Sequence, residues 1–315
     1  MSNAKFVEGF SGKLADRWVG SLFTPAFVFW LGGGLAYVQK VGWQCVVAFF
    51  AGLPEPLPIG LGVLALLVVS ASGFVVQQFE FSVLRLLKGY WPRWCRPLIK
   101  RLARRQKRRW MMLDKRWQAF NYEGLGALTS EERQAYVQTD LQLSAYPDAG
   151  RPSDKRDTGR LLPTRLGNIL RSAEDRCEEK YGLDAVICWP RLWLVLPEAV
   201  KGELSAARDA LNLTVRLWVW GLLFWVWAVV FWIWWPFLLG IGVMWLAKRW
   251  MLQAAGVYED LLESGFDLYR FQLYESLRWP RPRIPAEERA SGQGLTDYLW
   301  HGSDQTCPRF IEKKQ

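Results

Sequence analysis

The stretch that decides the fold is Leu217–Ala247, LWVWGLLFWVWAVVFWIWWPFLLGIGVMWLA. It holds 31 residues without a charge. At about 1.5 Å per residue a single helix of that length is roughly 46 Å long, well beyond the roughly 30 Å of bilayer hydrocarbon. Its centre carries Trp232, Trp234, Trp235 and Pro236. Tryptophans collect at the membrane interface, and proline favours a turn there. The stretch therefore reads as a tight hairpin, with one span over about 214–234 and the next over about 237–257. Lys248 and Arg249, near the inner end of the second, can snorkel to the headgroups.

Two more charge-free runs lie upstream, Trp18–Gln39 with 22 residues and Pro56–Phe79 with 24. Each suffices for one crossing. The expected fold class is an all-α integral membrane protein with four transmembrane helices, at about 18–38, 58–78, 214–234 and 237–257, and a mostly helical cytoplasmic domain. The first run is longer than a signal-peptide core and shows no convincing small-x-small cleavage site, so it reads as a signal anchor. Trp43–Gly52 is apolar but short, and reads as an interfacial or re-entrant piece on the outer side. The expected division is 1–79, 80–212, 213–258 and 259–315.

Charge sets the topology. The 315 residues carry a net +10, and Arg85–Arg116 alone holds thirteen Lys and Arg against one acid, Asp114. Cationic loops stay in the cytoplasm. Lys5, Lys13 and Arg17, and the ten Lys and Arg from Lys248 onward, then place both termini inside an inner (plasma) membrane of bacterial type. The concentrated positive charge marks an anionic partner surface. Arg101, Arg104, Arg105, Lys107, Arg108 and Arg109 leave no wide apolar stripe on their helix, so they read as a contact to anionic phospholipid. A nucleotide or nucleic acid, or a bare topology signal, are the other readings of this segment.

The cytoplasmic part reads as helices. Thr129-Ser130-Glu131-Glu132 opens one by its capping pattern, and Pro147–Gly159 reads as a loop. Pro163–Tyr181 is amphipathic and stops at Gly182. Asp184–Leu196, split by Pro190, fits a strand or a helical turn equally. Pro197-Glu198 opens a helix running into the third span. The fourth continues along Leu262, Phe266, Tyr269, Leu273 and Leu277 until Arg278-Trp279-Pro280. A short helix follows from Pro285 to about Trp300.

Catalysis has no visible carrier. The spans offer Ser21, Thr24, Ser70 and Ser72 but no His or carboxylate, and a serine needs a positioned base. Proton-coupled transport normally requires acids at membrane depth. No phosphate-cradling G-x-x-x-x-G-K-[ST] motif occurs, and Gly32-Gly33-Gly34 inside a span reads as a close-packing site. Five cysteines without a CxxC pair and a single histidine, His301, give no metal-ligand pattern. Glu174, Asp175, Glu178 and Glu179 read as a solvated face paired with Arg171, Arg176 and Lys180 along their own helix. The chain is thus expected to be no enzyme and to hold no cofactor and no metal.

Gly62, Ala65, Ser72 and Gly73 fall near one face of the second span, suited to helix packing or pore lining. The tryptophan-rich third span reads as peripheral, the second as central. Arg165, in Pro163-Thr164-Arg165-Leu166-Gly167-Asn168, and Arg191, in Trp189-Pro190-Arg191-Leu192-Trp193, are cytosolic ligand candidates or partners of nearby acids. The expected function is a homo-oligomeric membrane channel, pore or effector with a cytoplasmic sensing domain. Its expected partners are anionic phospholipid, further copies of the chain, and a cytosolic protein or nucleotide ligand. A membrane scaffold recruiting a cytosolic partner is the alternative, and an enzyme with a cytosolic site comes third.

Overall fold

The computed structural model describes residues 25–54, 57–123, 129–147, 161–302 and 309–311. The expectations for residues 1–24, for most of the loop from Pro147 to Gly159 and for Cys307 lie outside them. The described chain is all-helical, with no strand among these residues. In chain order the helices are α1 (Pro25–Val41), α2 (Trp43–Ala51), α3 (Leu57–Lys88), α4 (Arg96–Glu123), α5 (Ser130–Ser144), α6 (Arg165–Tyr181), α7 (Ala185–Val195), α8 (Glu198–Phe231), α9 (Trp235–Ser276) and α10 (Pro285–His301). A short 3-10 turn, Arg93–Cys95, precedes α4. Two helical stretches, the one starting at Leu57 and α8, are long and apolar enough to cross a membrane.

The chain forms two compact units, residues 1–84 with 212–250, and residues 85–211 with 251–315. In the first, Ala26 and Phe29 of α1, Val69 and Val76 of α3, and Trp220 and Phe224 of α8 form the buried core. Phe29 meets the Trp220, Phe224 and Trp227 rings at centroid distances of 5.2, 5.7 and 5.0 Å. Trp227 Nε1 donates to the Phe29 carbonyl (3.1 Å), and Trp30 Nε1 to Ser72 Oγ (3.0 Å). Gly32 and Gly33 make this approach possible, since a Cβ there would sit 2.6 Å from Phe224 and 2.5 Å from Trp227. Gly221 and Gly240 bring α8 and α9 together in the same way.

Two expectations for this unit change. The tryptophan-rich helix α8 buries Trp220 and Phe224 against α1, whereas α3 buries only Val69 and Val76 and leaves Leu67 61% exposed. Within this unit α8 therefore contributes more to the core than α3, the reverse of the expected order. Aromatic bulk is hard to bury between helices, but Gly32 and Gly33 on the facing helix make room for it. Pro236 also does not break the chain. It sits in the first turn of α9, where a missing N–H costs nothing, and the turn is made by Trp232 at φ 56°. The short helix α2 buries none of its residues.

In the second unit, Cys177, Leu183, Cys188, Leu192, Leu204, Phe266, Leu273, Tyr274, Trp279 and Leu295 belong to one core shared by α6 to α10. The undecided segment 184–196 is a helix. Asp184 caps it, accepting from the Val186 and Ile187 amides at 2.7 and 3.1 Å, and Pro190 is accommodated inside it. Helix α6 stops at Gly182, whose φ of 70° is open to glycine at little cost. The capping box at Thr129 is present in full. Pro97 is the second residue of α4, in the first turn, where its missing N–H removes no intrahelical bond.

Candidate functional site

Helix α4 is one arm of a helical hairpin with α5. Leu102, Gln106, Trp110, Leu113, Trp117 and Phe120 recur at three- and four-residue spacings and are buried or half-buried. Trp117 stacks on Tyr136 with centroids 6.5 Å apart and donates to Asp140 Oδ1 at 3.0 Å, and Phe120 packs edge-on against the same tyrosine. The helix thus does have a packing stripe, contrary to the cationic-all-round reading. The stripe is hard to see in sequence because Gln106 interrupts it.

That stripe sorts the cations. Arg101, Arg104, Arg105 and Arg108 follow at spacings of 3, 1 and 3, and so share one exposed face. Lys107 is half-buried. Arg109 falls on the flank between the cationic face and the stripe.

There it lines a cavity of about 330 Å³ together with Met112 and Leu113 of α4, Gln142 of α5, Tyr146 and Arg165. Arg165 is the first residue of α6, whose Thr164 cap accepts from the Gly167 amide at 3.0 Å and donates to the Lys88 carbonyl at 2.9 Å. Gly167 lies so close to that carbonyl that a Cβ would collide with it. The start of α6 is thereby fixed. Tyr146 is buried, and its hydroxyl donates to Gln106 Oε1 at 3.1 Å. Burial raises the phenol's pKa, while Arg165 and Arg109 both pull it down.

Arg191 lies elsewhere, on α7, where its Nη1 donates to the Ile187 carbonyl at 2.5 Å. The two arginines named as ligand candidates do not meet. Arg165 meets Arg109 of the basic run instead.

The acids of α6 are not a solvated face. Asp175 is buried, and Arg176 and Lys180 reach across to α9. Arg176 pairs with buried Glu259 and with Glu263 (3.0 Å), and Lys180 pairs with Glu263. Ser172 Oγ donates to Glu259 at 2.7 Å, and the Tyr181 hydroxyl to Asp267 at 2.5 Å. Arg270 continues the network to Glu288 of α10 and lies over the Tyr181 ring at 4.2 Å. Lys88 and Glu174 are both half-buried and each lies within the other's field. Burial pushes the lysine pKa down and the carboxyl pKa up, each opposed by the other's charge. Periodicity could not reveal these links, because it gives faces and not partners.

Gly62 and Ala65 lie on the open part of α3, with nothing near Gly62. Ser72 and Gly73 face α1, through Trp30 and Ala26. Among the described residues no group of His, Cys, Asp and Glu converges as a metal site, and Cys45, Cys95, Cys177 and Cys188 are free thiols. No protein-family model matches this chain, and no curated protein or solved structure is significantly similar to it.

Proposed function

We propose that this chain is a four-span inner-membrane protein that self-associates and acts as a channel, pore or effector, its second unit being a cytoplasmic sensing domain. The observation that carries the reading is α3. It is apolar enough to cross a bilayer, yet only Val69 and Val76 are buried. Its first half presents Gly60, Gly62 and Ala65 uncovered. Small residues exposed on a membrane helix suit close approach by another helix, and a second copy supplies one.

The four crossings are supported by composition. Helix α1 has no charge before Lys40, and α9 has none before Lys248 and Arg249, which are exposed and free to snorkel. Trp232 and Trp234, 91% and 74% exposed, suit the outer interface at the tip of the α8–α9 hairpin. The charge distribution supports a cytoplasmic position for both termini and the second unit.

The test is the mass of the full chain in nanodiscs, combined with disulfide trapping of a Gly62→Cys variant. The reading expects an oligomer and trapped dimers at Gly62, and conductance in reconstituted bilayers. A monomeric chain that traps nothing overturns it. The four-arginine face of α4 favours a second reading, a scaffold that recruits a cytosolic protein to anionic lipid. That reading expects a copurifying soluble partner and silent bilayers.

A further inference from the structure

We infer that the cavity between α4, α5 and the start of α6 binds a phosphomonoester, held between the guanidinium groups of Arg109 and Arg165. This inference rests on reading the second unit as the sensing domain, and names the ligand class of that domain.

Four observations carry it. First, two arginines 56 positions apart in sequence are brought to the rim of one cavity. Planar guanidinium groups match phosphate oxygens with paired N–H donors, a geometry lysine cannot reproduce. Second, among the described residues neither arginine has a carboxylate partner. The acids nearest in sequence on the hairpin are engaged elsewhere, Asp114 with Gln118 (2.9 Å) and Asp140 with Trp117 (3.0 Å). The electrostatics at buried Tyr146 agree, since the charges that act on its hydroxyl are those of Arg165 and Arg109.

Third, the lining has two characters. Arg109, Arg165 and the Gln142 amide offer donors, while Met112 and Leu113 offer an apolar wall. A bare inorganic anion uses only the donors, whereas an ester with an organic part uses both. The volume of about 330 Å³ lies at the small end of the range for small-molecule sites, about 300–1,000 Å³. Fourth, the site is held in place by its surroundings. The Thr164 cap and the Gly167 contact with the Lys88 carbonyl fix Arg165, and the bond from Tyr146 to Gln106 braces the floor.

Arg109 is also separable from the membrane-facing reading of α4. Arg101, Arg104, Arg105 and Arg108 lie on another face, so cavity binding and headgroup attraction are expected to respond to different substitutions.

Two sources supply a phosphomonoester, a soluble nucleotide or phosphatidic acid in the inner leaflet. The experiment has an arm for each. The full-length protein in phosphatidylcholine nanodiscs is titrated with adenosine 5′-monophosphate, followed by calorimetry. In parallel, its thermal shift is read in nanodiscs containing phosphatidic acid. Saturable binding in at least one arm is expected. Arg109→Ala and Arg165→Ala are each expected to weaken it about tenfold to a hundredfold, as for loss of a charge-assisted pair. Arg165→Lys keeps the charge and recovers only part of the loss, and Arg133→Ala on the exposed face of α5 changes nothing. The oligomer mass of each variant is measured on the same samples, so loss of the ligand and loss of assembly are read separately. No saturable response in either arm overturns the inference. So does binding that survives both alanine substitutions, or that depends on Arg101, Arg104, Arg105 and Arg108 instead.

Discussion

Replacing Arg176 with Met leaves a buried carboxylate without its cation. Glu259 has a side chain 6% exposed, and Arg176 is 25% exposed. Among the described residues Glu259 then keeps the Ser172 hydroxyl at 2.7 Å. Glu263, the other acid that Arg176 serves, retains Lys180, so the penalty falls mainly on Glu259. Removing one partner of a buried pair costs about 3–5 kcal/mol. The quarter-exposed arginine and the surviving hydrogen bond reduce this to about 2–3 kcal/mol. For a unit of about 190 residues, where 1 kcal/mol moves Tm by about 2–4 °C, the shift is roughly 5–10 °C downward. The assay is thermal unfolding of the full chain in detergent, followed by tryptophan fluorescence. Arg176→Met with Glu259→Met removes the stranded charge as well, and is expected to recover most of the loss. A single variant that melts within about a degree of the parent, or a double variant worse than the single, refutes the reasoning.

Gly33→Leu drives a side chain into the Trp227 ring and is expected to give aggregated or unstable protein on size-exclusion chromatography, whereas Gly34→Leu, with open space at its Cβ, behaves like the parent. Thr129→Ala removes the hydroxyl that accepts from the Glu132 amide, costs about 1 kcal/mol, and is read as faster amide exchange at Glu131–Arg133. Burial pushes the Cys177 thiol to about 12 and the Cys188 thiol to about 11. Both are therefore neutral in the folded unit. Their contribution to stability is complete below the usual thiol value near 9 and is lost as pH rises toward 11–12, so Tm is expected to fall on titration above about pH 9. At pH 8.5 iodoacetamide is expected to modify Cys95 in the folded protein and to reach Cys177 and Cys188 only after unfolding.

Much of the helical framework is legible in the sequence, because its signals are local. The capping box at Thr129, the left-handed stop at Gly182 and the break at Trp232–Trp234 each involve residues within one turn of one another. The 3–4 spacing from Leu262 to Leu277 is equally direct. What escaped depends on residues far apart. Nothing near Arg176 announces that its partners are Glu259 and Glu263, and the acids beside it on α6 supply a simpler pairing. The burial of Trp220 depends on its contact with Phe29, some 190 positions earlier, and that approach depends on Gly32 and Gly33. The cavity was half visible. Arg109 stands out in the sequence within the basic run and Arg165 beside a helix start, and only the folding of α4, α5 and the start of α6 places them together. Asp184–Leu196 stayed undecided because a short apolar run with an internal proline satisfies two periodicities at once.

The native thiols test the membrane arrangement directly. Cys45 lies on α2, between α1 and α3, and is exposed, whereas Cys95 lies just before α4 in the basic segment and is partly exposed. A membrane-impermeant maleimide applied to intact cells is predicted to label Cys45 and to leave Cys95 untouched until the cells are opened. Labelling of Cys95 from outside, or recovery of the chain in the soluble fraction without detergent, contradicts the account.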